Sequence, residues 1–298
     1  MLVRRWLDAA GITDPVLRHC YMVCAREASG LDGGRAGWAA LRITPAAARP
    51  HVAALTAHGY RADACADTGP AEDRRRRLAE FTEATWAAFG AEGSHDPVLH
   101  ATAHTYRTLG MPLSLIEDMF TGMRRDVDFR DFATYAELCR WSVQVGAGTF
   151  YGVMWAMAGT ELSEVRPLVR EFTELCQLAD VLCDLSQDLD DGRLYLPLED
   201  LDRFGVRPED VKAKRWTPPM ADLVAFEAAR VTDRLPALAA ELDRTPVGPF
   251  TRAVSKHFML LAAGVPAAGQ DVLHRPVQPP LGHFLDVWRP VMHAVIPC

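Results

Sequence analysis

The segment "LCQLADVLCDLSQDLDDGRLYLP", residues 175–197, sets Asp180, Asp184 and Asp188 at intervals of four behind an apolar lead. Four residues of α-helix turn about 400°, so the three carboxylates share one face, each about 6 Å further along the axis. Like charges at this spacing oppose a helix by a few tenths of a kcal/mol per pair, to first order. Asp190 and Asp191 deepen the charge before Gly192-Arg193-x-Tyr195-Leu196-Pro197 ends the run. The usual reason for stacking carboxylates on an otherwise apolar helix is a cation. The segment reads as helix, and that reading extends to most of the chain.

A second pair stands more than 100 residues upstream, in "YRADACADTG", residues 60–69. Asp63 and Asp67 again lie at i and i+4, and Gly69-Pro70 put them near a helix end. Oxygen donors with no Cys–His pair beside them suit Mg²⁺, which binds through few carboxylates and keeps waters and phosphate oxygens. Either pair alone is also the pattern of a solvated acidic face. Their recurrence behind apolar helices favours the metal.

The chain has 298 residues, 49% of them hydrophobic, with a formal net charge of −7. That balance supports a sizeable core and speaks against a dedicated nucleic-acid binder. The N-terminal "MLVRRWLDAAG" has two arginines but no apolar stretch after them, which is not the pattern of a secretory signal. No run of about 18 apolar residues offers a transmembrane segment. Seven cysteines at irregular spacing suit a reducing, cytoplasmic setting.

Alanine, leucine, arginine and glutamate dominate, and β-branched alternation is scarce. Helices are expected at 15–28, 46–68, 72–89, 97–109, 112–124, 134–158, 163–189, 219–242 and 247–266. Thr44 with Pro45 is the expected start of the second. "VGAGTFYG", 145–152, places three glycines inside a helical pattern, which predicts a kink or a close approach. "LHRPVQPPLGHF" reads as a loop. With no linker in view, residues 1–298 read as one all-α domain.

These residues resemble the squalene/phytoene synthase family, the trans-isoprenyl diphosphate synthases that join two allylic diphosphates head to head. The similarity is strongest over 177–206, where Gln177, Asp184, Asp188, Gly192, Arg193, Tyr195, Leu196, Pro197, Phe204 and Gly205 match the second aspartate motif and the segment after it. "WAALRITPAAARPHVAALTAHGYRADACAD" resembles the segment leading into the first aspartate motif. "GMRRD", 122–126, and "YAELCRWSVQVGAG", 135–148, resemble two further family segments. The resemblance implies an isoprenoid-synthase-type helical bundle around a central cavity, with the two aspartate motifs facing each other across it. It implies Mg²⁺ held by Asp63, Asp67, Asp184 and Asp188, with Asp180 on the same helical face as a further candidate ligand, and a prenyl diphosphate substrate. Arg35, Tyr60, Arg61, Gln177, Arg193 and Tyr195 are the implied substrate contacts. Trp141 and Phe150 are the implied pocket wall, and Pro197 is expected to end the acidic helix. A peripheral membrane contact would suit release of an apolar product.

The chain departs from the family pattern at several positions. Ala64 follows Asp63 where a second acid is common, Asp180 replaces an asparagine, and Cys183 an arginine. Trp141 stands where a tyrosine is usual, and Thr149-Phe150 where Val-Gly is usual. These changes keep two further readings open: a terpene cyclase or atypical prenyltransferase using one allylic diphosphate, and a non-catalytic prenyl-lipid binding subunit. Asp180 is expected either to join the metal ligands or to be held by an arginine. "HATAH", with His100 and His104, has zinc-pair spacing but lacks the glutamate of that motif. "RRRR", 74–77, reads as a solvated face, the stripe of Trp141, Phe150, Trp155 and Phe258 as core or the lining of a hydrocarbon pocket, and Cys65 and Cys183 as neutral thiols.

Overall fold

The computed structural model describes residues 2–30, 41, 44–67, 69–90 and 93–279, and among them only helices, turns and loops occur. The all-α expectation holds. The helices group into two compact units. Among the described residues, one unit comprises the chain through Asp128 with Gln144–Glu164, and the other Phe129–Val143 with the residues from Val165 on. The boundary falls inside the helix Tyr135–Gly146, so neither unit is a contiguous length of chain.

The first unit contains α1 (Leu2–Ala9), α2 (Pro15–Gly30), α3 (Arg49–Asp67), α4 (Ala71–Gly90), α5 (Pro97–Leu109) and α6 (Ser114–Val127). α3 is its axis, packed by α2, α4, α5 and α6. Ala53, Ala54, Ala57 and Ala62 on α3 are fully buried, small enough to let those neighbours approach from several sides. α5 begins and ends where its local sequence says. Asp96 caps the amides of Val98 and Leu99 at 2.8 and 3.1 Å, Pro97 fills the first position, and Gly110 closes the end at φ 61°. α3 starts later than expected. The amides of Ala48 and Arg49 both turn back onto the Pro45 carbonyl, making a tight turn before the helix proper.

The predicted 134–158 helix is α7 (Tyr135–Gly146), a π-helical turn (Ala147–Tyr151) and α8 (Gly152–Ala158). The Gly152 amide donates to Ala147 O, five residues back, which defines the wide turn. The glycines here serve close packing. A Cβ on Gly122 of α6 would come within 2.7 Å of Val145, and one on Gly148 within 2.7 Å of Met119 Sδ. A Cβ on Gly59 of α3 would collide with Thr149 Cγ2.

The second unit is built on α9 (Arg166–Cys183), α13 (Pro218–Leu242) and α14 (Gly248–Ala268), which pack on one another. Short helices α10 (Leu185–Asp190), α11 (Leu198–Arg203) and α12 (Pro208–Lys212) lie between α9 and α13 in the chain. The expected single helix over 163–189 therefore breaks, and it breaks at Asp184. The Gln187 amide bonds to Asp184 O, three residues back, and the Cys183 carbonyl instead accepts from the amide of Val277 at 2.9 Å. A chain segment far along the sequence takes the hydrogen bond that a continuous helix would need.

α10 ends earlier than Pro197, against expectation. Gly192 adopts φ 76°, its amide returns to Leu189 O, and the Arg193 amide returns to Asp188 O at 2.7 Å. This is a Schellman closure with glycine in the left-handed position. Pro197 does the opposite of ending a helix: at φ −61°, ψ 133° it leads into α11. Gly205 closes α11 with the same paired bonds.

Candidate active site

In the first unit, Asp63 and Asp67 stand on the last two turns of α3, one turn apart and exposed. Tyr60 and Arg61 precede them, each half-buried. Arg61 has two carboxylate partners. Its Nε and Nη2 donate to Glu27 at 2.8 and 2.7 Å, and its Nη1 donates to both oxygens of Asp96 at 2.9 and 2.7 Å. Through these bonds it joins α3 to α2 and to the cap of α5. Arg74 Nη1 donates to the Ala66 carbonyl between the two acids, a cation at a helix C-terminus. Arg75 and Arg76 of the same run pair with Asp128 and Asp73 in exposed ion pairs. Phe150 lies in the π turn, half-buried. Arg35 lies outside the described residues.

The histidines of "HATAH" serve different partners. His104 Nδ1 lies 2.8 Å from the Tyr21 hydroxyl, which also meets His51 Nδ1 at 3.2 Å, whereas His100 Nδ1 faces Ser94. Burial lowers the pKa of His51 to about 4, so this cluster is neutral imidazole and hydroxyl.

In the second unit, Gln177, Asp180 and Asp184 fall at i, i+3 and i+7 on α9 and its end, each half-buried. The break at Asp184 preserves the spacing of the acids. The Asp184 amide still bonds to Asp180 O at 2.9 Å, and the Asp188 amide to Asp184 O at 3.0 Å. Positive charge is distributed unevenly along this face. Arg193 Nη2 lies 3.4 Å from Asp188 and 3.0 Å from Asp191, and Lys214 Nζ lies 2.6 Å from Asp190. Asp180 and Asp184 have no cation within ion-pair distance among the described residues. No described arginine holds Asp180; Arg35, Arg42 and Arg289 lie outside the described residues.

The electrostatic consequence is direct. Burial first, and then the charges of Asp184 and Asp188, push the Asp180 carboxyl up to about 8. Burial also raises that of Asp184. The same desolvation, with Asp180 and Asp184 adding to it, keeps the Cys183 thiol protonated at neutral pH, as expected of a neutral thiol. Among the described residues no three His, Cys, Asp or Glu side chains converge as a ready-made metal cage. The donor set nevertheless fits a hard divalent ion that takes one or two carboxylates and completes its shell with water and phosphate oxygens.

Trp141 and Tyr195 are both buried, their rings 4.8 Å apart, with Phe132 5.7 Å from Trp141 and Phe129 4.9 Å from Tyr195. The Trp141 Nε1 hydrogen is buried and has no acceptor among the described residues. Tyr195 follows Arg193 by two residues, so one short segment supplies both the guanidinium beside Asp188 and a ring of this aromatic cluster.

The helical architecture and the paired aspartates define a class. The chain belongs to the squalene/phytoene synthase family, whose profile matches residues 33–283. It is 31% identical over 212 residues to the bifunctional protein CrtB/UppS of Streptomyces coelicolor, covering 69% of this chain and 36% of that one. It is 28% identical over 199 residues to a phytoene synthase of Mycobacterium bovis, covering 65% of this chain and 64% of that one. The matched part thus spans about one third and just under two thirds of these curated relatives' lengths. The squalene synthase HpnC of Alicyclobacillus acidocaldarius shares the fold, with a TM-score of 0.73 at 23% identity over 90% of this chain and 99% of that one.

Sequence reasoning missed Lys214 at the acidic face, and it missed the engagement of Arg61. Nothing local marks Lys214 in "VKAKRW". The partners of Arg61, Glu27 and Asp96, are 34 and 35 residues away in the chain.

Proposed function

We propose that this protein is a Mg²⁺-dependent isoprenoid synthase that ionises allylic prenyl diphosphates and condenses two of them head to head, with farnesyl or geranylgeranyl diphosphate as substrate. The observation that carries the reading is the pair Asp180 and Asp184, one turn apart and without a cation among the described residues, on a member of the squalene/phytoene synthase family. Asp63 and Asp67 would hold metal on α3, and Asp180, Asp184 and Asp188 on α9 and α10. Bound Mg²⁺ supplies neutralisation of the diphosphate as the allylic C–O bond breaks.

The chain's own residues do the rest. Arg193 steadies Asp188 and brings positive charge to the acidic face. Gln177, on the same face, is a polar contact for substrate. Trp141 and Tyr195 contribute an aromatic wall that keeps water from an allylic cation. Tyr60 and Phe150 are proposed contacts, and Arg61 acts on substrate only by fixing α3. We take residues 1–298 as one catalytic domain working in the cytoplasm, with a peripheral membrane contact to release apolar product. No helix among the described residues is long and apolar enough to cross a membrane.

The test is incubation with Mg²⁺ and geranyl, farnesyl or geranylgeranyl diphosphate in turn, followed by mass spectrometry of the extract. A product with twice the carbons of its substrate is expected. A cyclic product from one unit would mean a cyclase, and no turnover of any of the three would mean a binding subunit.

A further inference from the structure

Among the described residues, Lys214 is the single non-glycine residue with positive φ, at 53°. It sits where α12 ends. The Lys214 amide returns to Val211 O at 2.8 Å and the Arg215 amide to Asp210 O at 2.9 Å, the same paired closure that Gly192 and Gly205 make. A β-carbon is disfavoured in this left-handed position, and glycine is its usual occupant. Strain of this kind persists where the surroundings enforce it, and it gathers at functional sites.

What lysine supplies there and glycine could not is an ammonium. Lys214 Nζ lies 2.6 Å from Asp190 Oδ1 and 3.3 Å from the carbonyl of Ser186. Ser186 is 1% exposed and stands between Asp184 and Asp188. The helix it belongs to, α10, has six residues, far too few to hold itself. A cation near its C-terminal end opposes the accumulated carbonyl charge.

We propose that Lys214 is a positioning residue: from its left-handed backbone site it clamps α10, and so fixes Asp188 relative to Asp184 for metal and diphosphate. This role rests on the function proposed above. The clamp itself rests only on the geometry.

The test compares the parent with Lys214→Gly and Lys214→Arg. Lys214→Gly removes the ammonium and also relieves the backbone, so the variant folds, with a Tm equal to or above the parent's. Hydrogen exchange in the metal-free protein should quicken about five-fold or more over 184–192, and stay unchanged over α13 and α14. The Mg²⁺ concentration for half-maximal diphosphate release should rise about five-fold, more than kcat falls. Lys214→Arg should recover most of both. Unchanged exchange over 184–192 overturns the clamp. Faster exchange with an unchanged Mg²⁺ requirement overturns the positioning role and leaves a structural one. If the parent releases no diphosphate from any prenyl substrate, the functional reading and the positioning role fall together, while the exchange data still decide the clamp.

Discussion

The backbone amide of Asp184 donates to the carbonyl of Asp180 at 2.9 Å, so the two residues stand one helical turn apart although the helix breaks at the second. Neither has a cationic partner among the described residues, whereas the next acids along, Asp188, Asp190 and Asp191, are served by Arg193 and Lys214. Among the described residues, the acidic face is neutralised at one end and bare at the other. The proposed divalent ion would complete it.

Asp180 makes the metal-free protein pH-sensitive in a stated direction. Its carboxyl titrates at about 8 in the fold, against an ordinary value near 3.8. The folded state therefore holds a proton that the unfolded state loses first, and stability falls as pH rises from about 4 to about 8. Asp180→Asn removes that contribution. Its advantage over the parent should be absent near pH 4 and reach the order of a few kcal/mol by pH 8. Glu227, which burial also pushes up to about 8, adds a slope common to both proteins. Added Mg²⁺ at pH 8 should close the gap. Urea midpoints at three pH values measure it, and a difference independent of pH would remove the argument.

Asp63→Asn and Asp67→Asn should separate activity from stability. Both side chains are exposed, so each change should move unfolding by no more than about 0.5 kcal/mol. Diphosphate release should fall about a hundredfold or more in each. Retained turnover in either variant would take that residue out of the proposed metal set.

Gly192 and Gly205 close α10 and α11 with the same geometry, at φ 76° and 66°. Replacing either with alanine should cost about 1–2 kcal/mol in stability. Only Gly192→Ala should also impair turnover, because the bond it supports directs Arg193 toward Asp188. Equal kinetic losses in the two variants would show that activity merely follows stability.

Gly59 and Thr149 are coupled by contact. Gly59→Ala forces a methyl into Thr149 Cγ2 and should destabilise by about 1–3 kcal/mol. Thr149→Ser removes that methyl and should restore most of the loss in the double variant. Additive losses in thermal unfolding would mean the π turn yields by another route.

Trp141 is expected to matter in two ways. Trp141→Ala empties a buried aromatic cluster and should cost about 3–5 kcal/mol. Trp141→Tyr keeps a ring beside Phe132 and Tyr195, and should shift the product distribution more than it shifts Tm. An unchanged product profile with a large loss of Tm would mark the residue as core alone.

Much of the fold was legible because it is local. α5 runs Pro97–Leu109 as predicted, since its cap, first proline and closing glycine all lie within or beside its own sequence. The spacing of Asp180, Asp184 and Asp188 is likewise local, and it survives even the helix break. The glycines of 145–152 announced an irregularity. What packs against it, Gly59, Met119 and Gly122, comes from other positions in the chain.

The sequence by itself determined that the chain is helical, which acids share a helical face, and which family those acids belong to, because helical period and motif spacing are properties of neighbouring residues. The tertiary structure alone decided which charges are answered. Arg61 was drawn to Glu27 and Asp96, Lys214 was strained toward Asp190, the Cys183 carbonyl was given to Val277, and Asp180 was left with like charges near it. These partners lie tens of residues away, and a carboxylate's partner and its loss of water exist only once distant segments have packed around it.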